Sequence, residues 1–225
     1  PDPEIEADLC AFFQKKIINN HSNETSTPKE PKSINGSPFK MGDHQIKALE
    51  SWKAKGDFHY TPEHWLGIVI ESFQGMIHSE GCQELFPKLY QRFEDPDVWK
   101  VHEDVMPVLD ELANRGFRLG IVSNWDTRLK PLLSRLRLDG FFEFVSVSCD
   151  IGFTKPSPVI FEHTVGKFGL PPERMLHVGD HQSEDVKGAQ GAGLHSLLID
   201  RSARSRPEVI RELTELSERI TESWS

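Results

Sequence analysis

The chain has 225 residues, 37% of them apolar and 27% charged, with a formal net charge of −9. That length supports one large domain or two unequal ones around a substantial core. The acidic balance argues against non-specific nucleic-acid binding and against an anionic membrane surface. No apolar run approaches the roughly 18–20 residues of a membrane span.

Residues 4–18 read as an amphipathic helix, with Ile5, Leu9, Phe12, Phe13 and Ile17 at helical spacing. Residues 19–45 are rich in Asn, Ser, Thr, Pro, Lys and Gly and read as a flexible polar insertion. The glycosylation-type triplets starting at Asn20, Asn23 and Asn35 fall in this stretch, where its composition makes chance matches easy. Thr61-Pro62 starts a helix well, a capping hydroxyl followed by proline at the first helical position. Trp65, Leu66, Val69, Ile70 and Phe73 form its buried stripe. Leu85, Phe86, Leu89, Tyr90 and Phe93 form a second stripe, in which Pro87 can introduce a kink. Residues 1–96 are therefore expected to be helical and without a strand.

The pattern changes at about residue 98. Glu103–Arg115 is expected to be helical, ending at Gly116, and Phe117–Val122 a buried strand. A helix over Thr127–Leu138 and a strand over Phe144–Ser148 follow. Next come a helix over Pro158–Phe168, ended by Gly169, and a strand over Met175–Val178. A helix over Asp185–Ala192, a strand over His195–Ile199 and a helix over Pro207–Thr221 complete the chain. Four such alternations call for an α/β domain, a parallel sheet with helices on both faces. Ligands of such sheets bind beyond the carboxyl ends of the strands.

Three polar groups fall at or near that edge: Ser123-Asn124, Lys155-Pro156 and Asp180 with Asp185. Magnesium takes oxygen ligands and usually only one or two carboxylates, so Asp180 at a strand end, with Asp185 a turn later, suits it. Ser123 and Asn124 offer donors to phosphoryl oxygens, and Lys155 offers a charge to neutralise them. Each has a blander reading alone: a helix-start aspartate, a polar turn, a solvated lysine. Three in order, each after a strand, favour a phosphoryl site. His177, between Leu176 and Val178, reads as a packed histidine; His181 could touch substrate; Asp126 reads as a helix cap. The basic run Arg201–Arg206 reads as a solvated loop. Cys10, Cys82 and Cys149 form neither a zinc spacing nor a disulfide framework, which fits a reducing compartment. With no signal peptide visible, an intracellular location, cytoplasmic or nuclear, is expected.

Through Ser123-Asn124, Lys155-Pro156 with Ile160-Phe161, and Val178-Gly179-Asp180 with Asp185, the chain resembles the haloacid dehalogenase-like (HAD) hydrolases over roughly residues 100–200. The run Ser123-Asn124-Trp125-Asp126-Thr127-Arg128-Leu129 and the helical region around Trp65 are similar to one branch, the haloacid dehalogenase-like hydrolase domain-containing protein three group. The resemblance implies a HAD-like Rossmann-type core at 98–225 and a helical cap region at 1–97. It also implies a magnesium-dependent phosphomonoester hydrolase working through an aspartyl-phosphate on a phosphorylated small molecule. Carried over, Ser123 and Asn124 would hold phosphoryl oxygens and Lys155 would stabilise the nucleophile and the phosphoryl charge. Asp180 would bind Mg2+, with Asp185 supporting it directly or from behind.

The family's first motif, an apolar strand followed by Asp-x-Asp, is absent. Asp2, Asp8, Asp43 and Asp57 follow no apolar strand, and Asp95 with Asp97 has the spacing without the strand. The usual acidic residue is Ser157 here. The first core strand and its nucleophile are therefore expected to be missing. Because the chain also begins at Pro1, it is expected to be a fragment, inactive as it stands. A non-catalytic binding or interaction protein is the alternative. A haloacid dehalogenase proper is disfavoured, because that chemistry does not need the carboxylates Asp180 and Asp185.

Overall fold

The computed structural model describes residues 18–20, 61–73, 78–202, 206 and 208–224. The helix expected at 4–18 and the polar insertion at 19–45 lie outside them, except for Ile18–Asn20. Those three residues correct one expectation: they form a strand, β1 (Ile18–Asn20), antiparallel to β2 (Trp99–Val101).

Helix α1 (Pro62–Ser72) begins as its sequence dictates, with the Thr61 hydroxyl accepting from the His64 N–H and proline at the first turn. Helix α2 (Ser79–Arg92) runs on through Pro87. Asp95 caps a short 3-10 turn (Pro96–Val98) that contains Asp97, accepting from the Asp97 N–H and pairing with Arg92.

From residue 105 the expected alternation is present. Helix α3 (Val105–Asn114) leads to β3 (Gly120–Ser123), α4 (Leu129–Arg135), β4 (Phe144–Val147) and the short α5 (Ser148–Ile151). Helix α6 (Pro158–Phe168) leads to β5 (Leu176–Gly179), then a π-helical turn (Gln182–Lys187), α7 (Gly188–Gly191) and β6 (His195–Ile199). The final helix was expected over Pro207–Thr221. Instead β7 (Val209–Ile210) adds to the sheet and α8 (Leu216–Trp224) starts later. Two β-branched residues facing the exposed edge of β6 gain a ladder there that a helix could not offer.

β3 pairs in parallel with β4, and β5 with β6 and then β7. No ladder joins β3 to β5 among the described residues. The ladders nevertheless share one core. On one face Ile121 and Val147 pack in the same cluster as Leu176, Val178 and Ile199, covered by α3, α4 and α8. On the other face Val122 packs with Ile160, Phe161, Phe168 and Ala189, from α6 and α7. Adjacent strand residues point to opposite faces, so Ile121 and Val122 divide between the two clusters. The same alternation sends His177, flanked by Leu176 and Val178, toward α6, where its ring meets Phe161 edge-on at 5.3 Å. Helices therefore cover both faces, as the alternation required.

Candidate active site

β3 ends at Ser123 and β5 at Gly179, and the loops beyond them converge. Ser123 is buried at its strand end. The Asn124 side chain clamps the next loop: its Oδ1 accepts from the Lys155 N–H at 2.7 Å, and its Nδ2 donates to the Lys155 carbonyl at 3.1 Å. Nδ2 also donates to Glu184 Oε2 at 2.9 Å. Lys155, joined to Pro156 by a cis peptide bond, is thereby fixed beside β3.

The Lys155 ammonium is fully buried and bonds Asp185 Oδ1 at 2.6 Å and the Val122 carbonyl at 3.2 Å. A buried ammonium is tolerated only when paired and hydrogen-bonded, and both conditions are met. Asp185 is equally buried. Its Oδ1 also accepts from His177 Nε2 at 3.0 Å and its Oδ2 from the His181 N–H at 2.9 Å. Burial alone would raise the Asp185 carboxyl, but the Lys155 charge and the His177 bond overcome it and hold the carboxyl far below the usual range. Burial has the opposite effect on the His177 ring, lowering its pKa despite Asp185, so the ring is neutral and Nε2 carries the donated proton. Gly179 makes this packing possible: a Cβ there would stand 2.2 Å from Asp185 Cγ.

Asp180 follows Gly179, half-buried at the sheet edge. His181 opens the π turn, its Nδ1 accepting from the Glu184 N–H at 3.2 Å. Such turns are frequent at functional sites.

Lys155, Asp185 and Asn124 are thus brought together, with Ser123 and Asp180 at the adjoining strand ends. Two participants carried little signal in the sequence. His177 is an anchor of Asp185 rather than a merely packed ring; nothing but its alternation between two apolar residues marked the face it takes. Glu184 reaches Asn124 because the π turn re-aims it, and such a turn has no sequence rule. Asp126, expected as a helix cap, does not cap α4, whose N-cap is Arg128 without a side-chain bond; instead it accepts from the Arg128 N–H at 3.0 Å and joins an ion pair with Arg128. No group of three or more ligand-type side chains converges as a metal cage among the described residues. The donor set still suits magnesium, which keeps waters and binds through one or two carboxylates: Asp180 is a hard, half-exposed oxygen donor.

The fold and the site together describe an α/β domain with parallel strands whose polar groups gather at the strand ends. A family profile described as haloacid dehalogenase-like hydrolase matches residues 38–193. The chain belongs to the haloacid dehalogenase-like hydrolases. It is 34% identical over 137 residues to human "Haloacid dehalogenase-like hydrolase domain-containing protein 3", covering 60% of this chain and 55% of that protein. It is 38% identical over 103 residues to a glyceraldehyde 3-phosphate phosphatase of Methanopyrus kandleri, covering 45% of this chain and 44% of the relative. The crystal structure of a HAD phosphatase from Thermococcus onnurineus superposes with a TM-score of 0.58 at 25% identity, covering 80% of each chain. The chain thus spans only a little over half the length of the human relative. No helix among the described residues is long and apolar enough to cross a membrane.

Proposed function

We propose that this chain carries most of the active site of a magnesium-dependent phosphomonoester hydrolase. The observation that carries this reading is the buried Lys155 ammonium, held between the Val122 carbonyl and Asp185 where β3 and β5 end. A cation fixed there, beside Ser123, is preorganised for a phosphoryl group and for the carboxylate that attacks it. The phosphatase identity of the Methanopyrus kandleri relative supports phosphorylated small molecules as the substrate class.

In this reading Ser123 offers its hydroxyl to a phosphoryl oxygen. Asn124, with both amide hydrogens engaged, serves mainly by holding the Lys155 loop against β3. Lys155 stabilises charge on nucleophile and phosphoryl group. Asp180 would hold magnesium, and Asp185 stands behind as the ion-pair partner that holds Lys155 in place. When bound, magnesium would neutralise phosphoryl charge and help align the reacting oxygens. Residues 1–97 would form the helical cap region and 98–225 the core. The attacking aspartate has no candidate in the 225 residues, since none follows an apolar strand with the Asp-x-Asp spacing. It would come from a strand outside them, and the chain alone would not turn over.

The same missing aspartate favours a second reading, a protein that binds a phosphorylated ligand without hydrolysing it. Intact mass and peptide mapping of the natural protein, followed by a phosphomonoester panel with and without magnesium, separate the two. A longer chain with an Asp-x-Asp strand and magnesium-dependent turnover supports the hydrolase. In that protein Asp180→Asn should weaken the magnesium dependence at least tenfold; an unchanged magnesium titration would remove Asp180 from the metal site. Robust turnover by the 225 residues alone would contradict the assignment of the nucleophile to another segment.

A further inference from the structure

The loop after β3 is secured at each of three successive residues. Asn124 is clamped to Lys155, as described. The Trp125 carbonyl accepts from the Ser148 hydroxyl at 3.1 Å and the Cys149 N–H at 3.2 Å. Asp126 is secured from the opposite side, by the helices α1 and α2. Its Oδ2 accepts from the Trp65 indole Nε1–H at 2.7 Å and from Arg128 at 2.5 Å, and its Oδ1 accepts from Arg128 Nε at 2.8 Å. Arg128 in turn donates to the Tyr90 carbonyl at 2.7 Å and stacks 3.4 Å from the centre of the Tyr90 ring, with the Trp65 ring 5.8 Å away. Asp126 and Arg128 are only 1% and 6% exposed.

Buried ion pairs are poor stabilisers, because desolvation offsets most of their attraction; well-packed apolar residues often do as well. What a forked, fully hydrogen-bonded pair adds is direction, since each of its bonds fixes an angle as well as a distance. Here those directions join three segments: α1 through Trp65, α2 through Tyr90, and the loop two residues beyond Asn124.

We propose that Asp126, with Arg128, is a positioning residue for the phosphoryl-binding loop: it links the packing of α1 and α2 to the placement of Ser123 and Asn124. An oxyanion bound at Ser123 then registers at Trp65, and loosening Trp65 weakens oxyanion binding without touching the site. The inference rests on the phosphoryl site proposed above.

Nitrogen-15 NMR of the full natural protein tests it, with inorganic phosphate plus magnesium as the titrant. The Trp65 indole signal is identified by its loss in Trp65→Phe, which keeps an aromatic ring at the position and removes the bond to Asp126. Phosphate is expected to move the Ser123 and Asn124 amides and the Trp65 indole with one apparent affinity. Trp65→Phe should weaken phosphate binding about fivefold, the scale of one hydrogen bond, with the melting temperature as the check on folding. Asp126→Asn should weaken it further. Loop amides that respond while the indole does not, together with phosphate affinity within twofold in Trp65→Phe, would overturn the coupling. Silence of the Ser123 and Asn124 amides themselves would instead remove the phosphoryl site, and this inference with it.

Discussion

His177 shows how a single buried side chain can set the acid sensitivity of a site. It is wholly buried, neutral and bonded to Asp185. Its folded pKa lies below that of an unfolded histidine, about 6.5. The unfolded chain therefore takes up this proton first, and stability falls as pH drops below about 6.5, by up to about 1.4 kcal/mol per unit. Asp185 has the same sign in a far more acidic window: its depressed carboxyl contributes stability above about 3.9, lost only in strong acid. Urea midpoints at pH 7.5 and 5.5 separate the two. The wild-type protein should lose about 1 kcal/mol more than His177→Gln across that interval; equal losses would assign the acid sensitivity to other groups. Legibility at this scale was uneven. Lys155, Ser123 and Asp180 could be marked because their residue types follow apolar runs. That the Lys155 ammonium is buried, or that Asn124 clamps a backbone 31 residues away, depends on loop placement that no local pattern encodes.

Among the elements, the strand–turn unit from Leu176 to Lys187 combines the most constraints. β5 delivers Gly179 and Asp180 to the sheet edge, and the π turn folds Asp185 back under Gly179. Space for that return exists only because Gly179 has no side chain. In Gly179→Ala the added methyl must displace a carboxylate held by Lys155, His177 and a backbone N–H, and none of these can retreat cheaply. The expected loss is about 2–3 kcal/mol, as for overpacking elsewhere. A denaturant midpoint within 0.5 kcal/mol of wild type would show that Asp185 can relocate. The elements themselves were largely readable. Gly116, Gly169 and Gly193 all adopt the positive φ that ends a helix or turn, and Thr61-Pro62 starts α1 where expected. The misses have physical reasons too. Ile18–Asn20 is a strand only by pairing with Trp99–Val101, a partner 81 residues away. Val209-Ile210 had two residues of β signal inside a stretch patterned like a helix, and pairing with β6 decided it.

At the scale of the whole molecule, the sheet is divided between β3 and β5. Both ladders are parallel and both feed one apolar cluster, yet no backbone ladder crosses between them among the described residues. Lys155 spans the division at its carboxyl end, bonding the Val122 carbonyl on one side and Asp185, anchored to His177 of β5, on the other. A parallel strand uses alternate N–H groups toward each neighbour, so a strand paired on one side leaves half its amides without a ladder. If the natural protein seats a further strand between β3 and β5, that strand would present its own carboxyl end beside Lys155, where an attacking aspartate is needed. Amide hydrogen exchange distinguishes the two forms. In the 225-residue chain, those Ile121 and Val122 amides that do not bond to β4 should exchange early, while the amides that do should be retained longer. In a longer natural chain carrying the strand, both sets should be protected alike. Uniform protection of β3 in the shorter chain would mean that its second edge is already covered, and a separate strand would no longer be required.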